Sequence, residues 1–246
     1  MNILEIKNLS ASYEGHEAIK DINIDVKKGD YICLVGENGS GKSTLIKTIV
    51  GLHKKDSGEI IKNIDNDKIS YLAQNNMKDL DFPATAKEII MTGVQKHKKL
   101  PFYTKKDWQL FDKVCDTLEI KNLVNKQIGE LSGGQRQALT LLMATVTKPK
   151  ILLLDEHTAA LDPATSAKVL LLTNKIVTEQ KLTAMMVTHD MQQAIDVGNR
   201  LIMMYNGQII YDVKGEEKKK LTVPFLLKKF EEASGSEFVN DRMLLK

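Results

Sequence analysis

The spacing of apolar and polar positions changes several times along the chain, and each change predicts an element. From Ile3 to Val26 apolar residues alternate with polar ones in short stretches interrupted by Asn8, Gly15 and Asp21, the period-two pattern of half-buried antiparallel strands. Tyr31-Ile-Cys-Leu-Val35 is a continuous apolar run ending at a glycine, which predicts a strand covered on both faces. Lys42 to Val50 has helical composition and stops at Gly51. Strands follow near Ser57–Ile61 and Lys68–Ala73, and from about Asn75 to Glu130 the chain turns helical and polar. A helix is predicted from Ser132 to about Thr147, a strand over Ile151–Asp155, a helix over Pro163–Glu179 and a strand over Thr183–Thr188. Asn206-Gly207 is a two-residue hairpin turn between two short strands, and Val223–Glu232 is an amphipathic helical stretch whose apolar spacing from Phe225 to Phe230 predicts packing on the core.

Alternating strands and helices of this kind predict an α/β fold with a mostly parallel core sheet covered on both faces. An antiparallel β-subdomain precedes it, and a helical subdomain is inserted at about residues 75–147. One domain is expected over 1–213, with 214–246 as its C-terminal helical extension.

Composition narrows the function classes. A length of 246 residues with 42% hydrophobic content is enough to bury a sizeable core. The 35 basic and 32 acidic residues nearly balance at +3, which removes the basic excess expected of a direct nucleic-acid binder. Cys33, in the apolar run, and Cys115, in a helical pattern, read as reduced core residues, without the number or spacing of a disulfide framework or metal site. The beginning Met-Asn-Ile-Leu-Glu-Ile lacks the basic and apolar regions of a signal peptide, and no apolar run approaches the roughly 18–20 residues of a spanning helix. A cytoplasmic location is expected, with any membrane role exercised through a partner. Lys218-Lys-Lys220 reads as a solvated surface.

The chemistry is concentrated at two glycine-rich segments and two strand ends. Gly36-Glu-Asn-Gly-Ser-Gly-Lys-Ser43 matches G-x-x-x-x-G-K-[ST] between a predicted strand and helix, the arrangement in which backbone N–H groups surround a triphosphate. The backbone of Asn38, Gly39, Ser40, Gly41, Lys42, Ser43 and Thr44 is expected to present donors to the β- and γ-phosphates of ATP, aided by the positive end of the helix. Lys42 adds a point charge, and the Ser43 hydroxyl is placed to ligate Mg²⁺. Ile151-Leu-Leu-Leu-Asp155-Glu156 is an apolar strand ending in two acids: Asp155 would support the magnesium shell, and Glu156 would polarise an attacking water. In Leu131-Ser-Gly-Gly-Gln135, Ser132 supplies a hydroxyl at a helix start and Gly133 and Gly134 permit close approach to an anion.

The ordered set Gly36–Ser43, Gln74, Leu131–Gln135, Ile151–Glu156, Leu161-Asp162 and His189 resembles the ATP-binding subunits of ABC transporters, a P-loop NTPase family, over the chain up to about residue 213. The resemblance implies an ATP hydrolase with further roles at matching positions. Tyr13 would stack on adenine, Gln74 would sense magnesium and water, His189 would contact the γ-phosphate, and Asp162 would communicate across a dimer. It also implies that Ser132, Gly133, Gly134 and Gln135 act on the ATP held by a second copy of the chain, in a head-to-tail homodimer docked on transmembrane permease subunits at the inner face of the cell membrane.

Asp81-Phe-Pro-Ala-Thr85 and Pro101-Phe-Tyr103 look like zinc and manganese importer ATPases, whereas Arg136–Met143 and Asp155–Asp162 look like those of amino-acid, tryptophan-type uptake systems. This marks a seam between subfamilies near residues 131–136 and favours a metal cargo through the front half. Amino-acid uptake, a soluble ATPase of an assembly complex and an engineered chimera stay open as alternatives. His157 stands where the family usually has proline and reads as a loop substitution rather than a catalytic group.

Overall fold

The computed structural model describes residues 1–74, 83–95, 103–117, 121–146 and 148–235. The long alternating stretch at the start forms β1 (Asn2–Tyr13) and β2 (His16–Lys27), paired antiparallel. With β4 (Ser57–Lys62) on the other side of β1, they make a three-stranded sheet of order β2-β1-β4. The apolar run becomes β3 (Tyr31–Gly36), fully buried, followed by the glycine turn and helix α1 (Lys42–Val50).

A second sheet has six strands in the order β5-β6-β7-β3-β8-β9, using β5 (Ile69–Leu72), β6 (Ile151–Asp155), β7 (Thr183–Thr188), β8 (Arg200–Tyr205) and β9 (Gln208–Lys214). All its neighbours pair in parallel except the β8–β9 hairpin. This is the expected mostly parallel sheet, and its alternation divides the core in two. Ile32, Leu34, Leu153 and Met185 face one cluster, shared with α1 and the antiparallel sheet. Cys33, Val35, Leu152 and Met186 face the other. There they meet α4 (Gly133–Val146), α5 (Pro163–Glu179), α6 (Met191–Asp196) and α7 (Val223–Ser234).

Between the strands, α2 (Ala86–Gln95) and α3 (Lys105–Thr117) share a third cluster with α4, built on Ile90, Met91, Phe111, Cys115, Leu139 and Leu142. The insertion thus has its own apolar interior. Asp81, Phe82, Pro101 and Phe102, part of the subfamily resemblance, lie outside the described residues, as does Thr147 at the expected end of α4. Among the described residues no helix is long and apolar enough to cross a membrane.

One expectation is corrected. Lys219 and Lys220 are exposed, but Lys218 is buried, and its ammonium donates to the carbonyls of Ile195 (2.5 Å) and Val197 (2.8 Å). These carbonyls lie at the C-terminal end of α6, where a cation satisfies groups that have no intrahelical partner. A short apolar-to-polar reading sees three equivalent lysines. The fold separates them because one turn of helix points only one of them inward.

Candidate functional site

The strand ends of the parallel sheet converge on the N-terminus of α1, the position at which open α/β sheets bind ligands. Gly41, at φ 95°, is the N-cap of α1, and a Cβ there would lie 2.4 Å from the carbonyl oxygen of Ala18. Only glycine fits both the left-handed backbone and the closeness of β2. The turn thereby wraps tightly enough for Lys42 to fold back over it. Its ammonium donates to the carbonyls of Gly36 (2.8 Å) and Glu37 (2.6 Å) and to the Ser40 hydroxyl (3.3 Å). Burial pushes the Lys42 pKa down, opposed by the nearby Glu156, Asp155 and Glu37 carboxylates.

Ser43, one residue further, donates from its hydroxyl to Asp155 Oδ1 at 2.7 Å. The other oxygen of Asp155 accepts from the Tyr71 hydroxyl at 3.1 Å. Tyr71 was given no role from sequence. The parallel register of β5 on β6 places it opposite Leu153, two residues before Asp155, so its hydroxyl reaches the end of the neighbouring strand. Burial first, and then the Asp155 carboxylate, raise the Tyr71 pKa, which keeps the phenol a donor. The only sequence signal was an aromatic residue three positions before Gln74 on a predicted strand.

Gln74 and Glu156 also meet, through a bond from Gln74 Nε2 to Glu156 Oε2 of 3.1 Å. A single cleft is lined by Tyr13, Asn38, Gly39, Gly41, Lys42, Ser43, Thr44, Gln74 and Glu156. Tyr13 is exposed at its rim, with its ring 5.8 Å from that of His53. His189 is not in this cleft. It lines a neighbouring one together with Glu156, Thr158, Leu161, Asp190 and Gln193, so Glu156 is the wall common to both.

Residues 132–135 line neither cleft. They form a reciprocal cap at the start of α4, in which the Ser132 amide donates to Gln135 Oε1 (2.9 Å) and the Gln135 amide to the Ser132 hydroxyl (3.3 Å). Behind them stand Leu161 and Thr165, next to the loop whose Asp162 caps α5 by accepting from the Thr165 amide at 3.0 Å.

His157 lies in the turn after β6, as a loop position, and is buried there. It is 3% exposed, with Nε2 3.0 Å from the Thr173 hydroxyl, and burial lowers its pKa to about 4.

The ABC transporter family model matches residues 19–159, which contain the whole cradle, the capped turn and both strand-end acids. The chain belongs to the ABC transporter family. Its relatives include a tyrosine transport ATP-binding protein of Clostridioides difficile, 38% identical across 94% of this chain and the whole of that protein. Another is the zinc uptake system ATP-binding protein ZurA of Listeria innocua, 35% identical over 87% of each chain. Among solved structures, the ADP conformation of an ATP-binding cassette of an ABC transporter superposes with a TM-score of 0.78 at 26% identity, covering 94% of this chain and 98% of that one. A dimeric post-hydrolysis cassette bound to ADP and Pi gives 0.71 at 28% identity, over 86% and 98%.

As an ABC ATP-binding domain the chain is an ATPase. The donor set also fits Mg²⁺: a hydroxyl and a carboxylate oxygen lie together at the end of the first glycine-rich turn. Among the described residues no group of three or more His, Cys, Asp or Glu side chains forms a closed metal cage. Magnesium prefers this arrangement, taking one or two protein oxygens and completing its shell with phosphate and water.

Proposed function

We propose that the chain is the ATP-hydrolysing subunit of an ABC importer, working on the cytoplasmic face as a head-to-tail pair docked on permease subunits. The observation that carries this reading is the convergence of Lys42, Ser43–Asp155 and Gln74–Glu156 on one cleft. The amides of residues 38–44 and the Lys42 ammonium hold the β- and γ-phosphates, and Tyr13 stacks on the base. Ser43 and Asp155 hold Mg²⁺, which when bound neutralises charge on the phosphate oxygens. Glu156 takes a proton from the water as its oxygen bonds to the γ-phosphorus. The bond to the bridging oxygen breaks, and ADP and phosphate leave. Gln74 orients the same water, and His189 reaches the γ-phosphate from the adjoining cleft. Ser132–Gln135 face outward and close over the ATP of the second copy, so each site is assembled from two chains.

Glu156→Gln removes the base and keeps the shape. Turnover should fall about 10²–10⁴-fold, the range typical of a general base, while ATP affinity is retained and an ATP-dependent dimer accumulates. Parent-like turnover in this variant would refute the assignment.

For cargo, the tyrosine transport relative is matched along its whole length and supports an amino-acid substrate. The zinc relatives support the metal reading, which rested on residues only partly described. We place the amino acid first. Reconstitution with permease subunits of each type separates the two readings, through stimulation of ATPase activity by a binding protein loaded with an aromatic amino acid or with zinc.

A further inference from the structure

Glu156 has φ 45°, in the left-handed region that a residue with a Cβ occupies only under strain. Something must hold it there. Its own carbonyl accepts from the Ala159 amide at 3.1 Å, which shapes the turn but not the direction of the side chain. Gln74 Nε2 meets the carboxylate from the exposed side. The following residue, His157, is driven the other way, into the core. Its only hydrogen-bond partner among the described contacts is Thr173, at 0% exposure in the middle of α5. The Thr173 hydroxyl already donates its one proton to the carbonyl of Val169, at 2.9 Å. It therefore accepts from His157, which fixes the imidazole as the Nε2–H tautomer. The helix that receives this bond is itself well anchored, capped by Asp162 at its start and packed through Val169, Ile176 and Val177. A proline at 157 has no side-chain donor to make such a bond.

We propose that His157 and Thr173 form a buried brace that positions Glu156 for water activation. The inference rests on the reading of Glu156 as the base. His157 does not touch the reacting atoms. It clamps the chain one residue beyond Glu156 to α5, so that the left-handed turn and the carboxylate direction are kept while nucleotide and partner change around them.

Thr173→Val removes the acceptor and preserves the shape, whereas Thr173→Ser keeps the hydroxyl. Steady-state kinetics, binding of a fluorescent ATP analogue and thermal unfolding are compared for both in the parent and in a Glu156→Gln background. The brace predicts a kcat about ten- to a hundredfold lower in Thr173→Val, the scale of a small misplacement of a reacting group, with KM and nucleotide affinity unchanged. It predicts recovery in Thr173→Ser and no further loss when Thr173→Val is added to Glu156→Gln. His157→Phe, which fills the space without a donor, repeats the comparison if the valine variant folds poorly. A parent-like kcat in Thr173→Val beside an inactive Glu156→Gln overturns the brace alone. So does the same proportional loss in both backgrounds. Parent-like turnover in Glu156→Gln overturns the base and the brace together.

Discussion

The two glycine-rich turns use the same residue types to opposite ends. In residues 36–44, Ser40 and Lys42 are only 3% and 4% exposed, and the lysine ammonium is wrapped by the turn's own carbonyls. In residues 131–135, Ser132 and Gly133 are exposed, and Ser132 and Gln135 satisfy each other's polar groups across the start of α4. The first turn closes around a space within its own chain. The second caps itself and stays exposed at Ser132 and Gly133. Glycine serves a different need in each: a left-handed backbone pressed against β2 at Gly41, and a helix start pressed against α5 at Gly134. Sequence similarity between glycine-rich motifs is therefore no guide to whether a turn is buried within its own chain or exposed.

The largest effect that tests this contrast is complementation. Lys42→Ala should abolish ATP binding and turnover. Ser132→Asp should preserve the helix cap, since aspartate caps as well as serine, and set a negative charge against phosphate. It should bind ATP as the parent does and fail to hydrolyse it. If the second turn acts on a partner's nucleotide, mixing the two inactive variants restores turnover, because the intact cradle of one meets the intact cap of the other. ATPase activity of the mixture no greater than the sum of the two alone would break the comparison.

Next in size is the cost of filling the inward turn. Gly41→Ala puts a methyl 2.4 Å from a backbone oxygen that cannot swing away, at a φ of 95°. Overpacking and left-handed strain together should cost about 4 kcal/mol, read as a lower midpoint in urea. Gly133→Ala, whose Cβ would come no nearer than 3.4 Å to Leu161, should stay within about 0.5 kcal/mol of the parent.

The acid anchor beside the inward turn is a third handle. Burial holds the His157 pKa at about 4, below its ordinary 6.5, so the unfolded chain binds the proton more readily. Stability linked to the neutral ring is fully present above pH 6.5 and is lost as pH falls toward 4, by about 3 kcal/mol at pH 4. Denaturation midpoints measured over that window should flatten in His157→Phe. An unchanged slope would place the titration elsewhere.

These residues also show where sequence was informative. The cradle was legible because its motif, its strand and its helix are contiguous, so spacing alone carries the geometry. The antiparallel and parallel parts were legible from alternation against continuous apolar runs. The strand order was not, because β7 joins β3, and β6 and β5 follow outward from it, through crossovers that no local pattern records. Lys218 was misread, and the burial of His157 went unseen, for one shared reason. Each is a polar residue made buriable by a distant partner, the Thr173 hydroxyl in one case and the end of α6 in the other. Tyr71 was missed because its function depends on register with the adjacent strand.

The smallest effect discriminates most finely. A Cβ at Gly134 would lie 2.2 Å from Thr165 Cγ2, which is side chain and not backbone, so the threonine can turn aside. Overpacking of roughly 1–3 kcal/mol is offset by about 1 kcal/mol of helix propensity gained over glycine. Gly134→Ala should therefore lose only about 1 kcal/mol of stability, recovered in the double variant with Thr165→Ser, which deletes the obstructing methyl. If the outward turn matters only for packing, turnover follows stability and returns to the parent level in the double variant. If it is also a face presented to a second nucleotide, the inward methyl, by pressing the start of α4 away from Thr165, displaces that face as well. ATP-dependent dimerisation, followed by size-exclusion chromatography in a Glu156→Gln background, should then fall in Gly134→Ala by more than its stability loss accounts for and recover with Thr165→Ser, while ATP binding by the single chain stays intact.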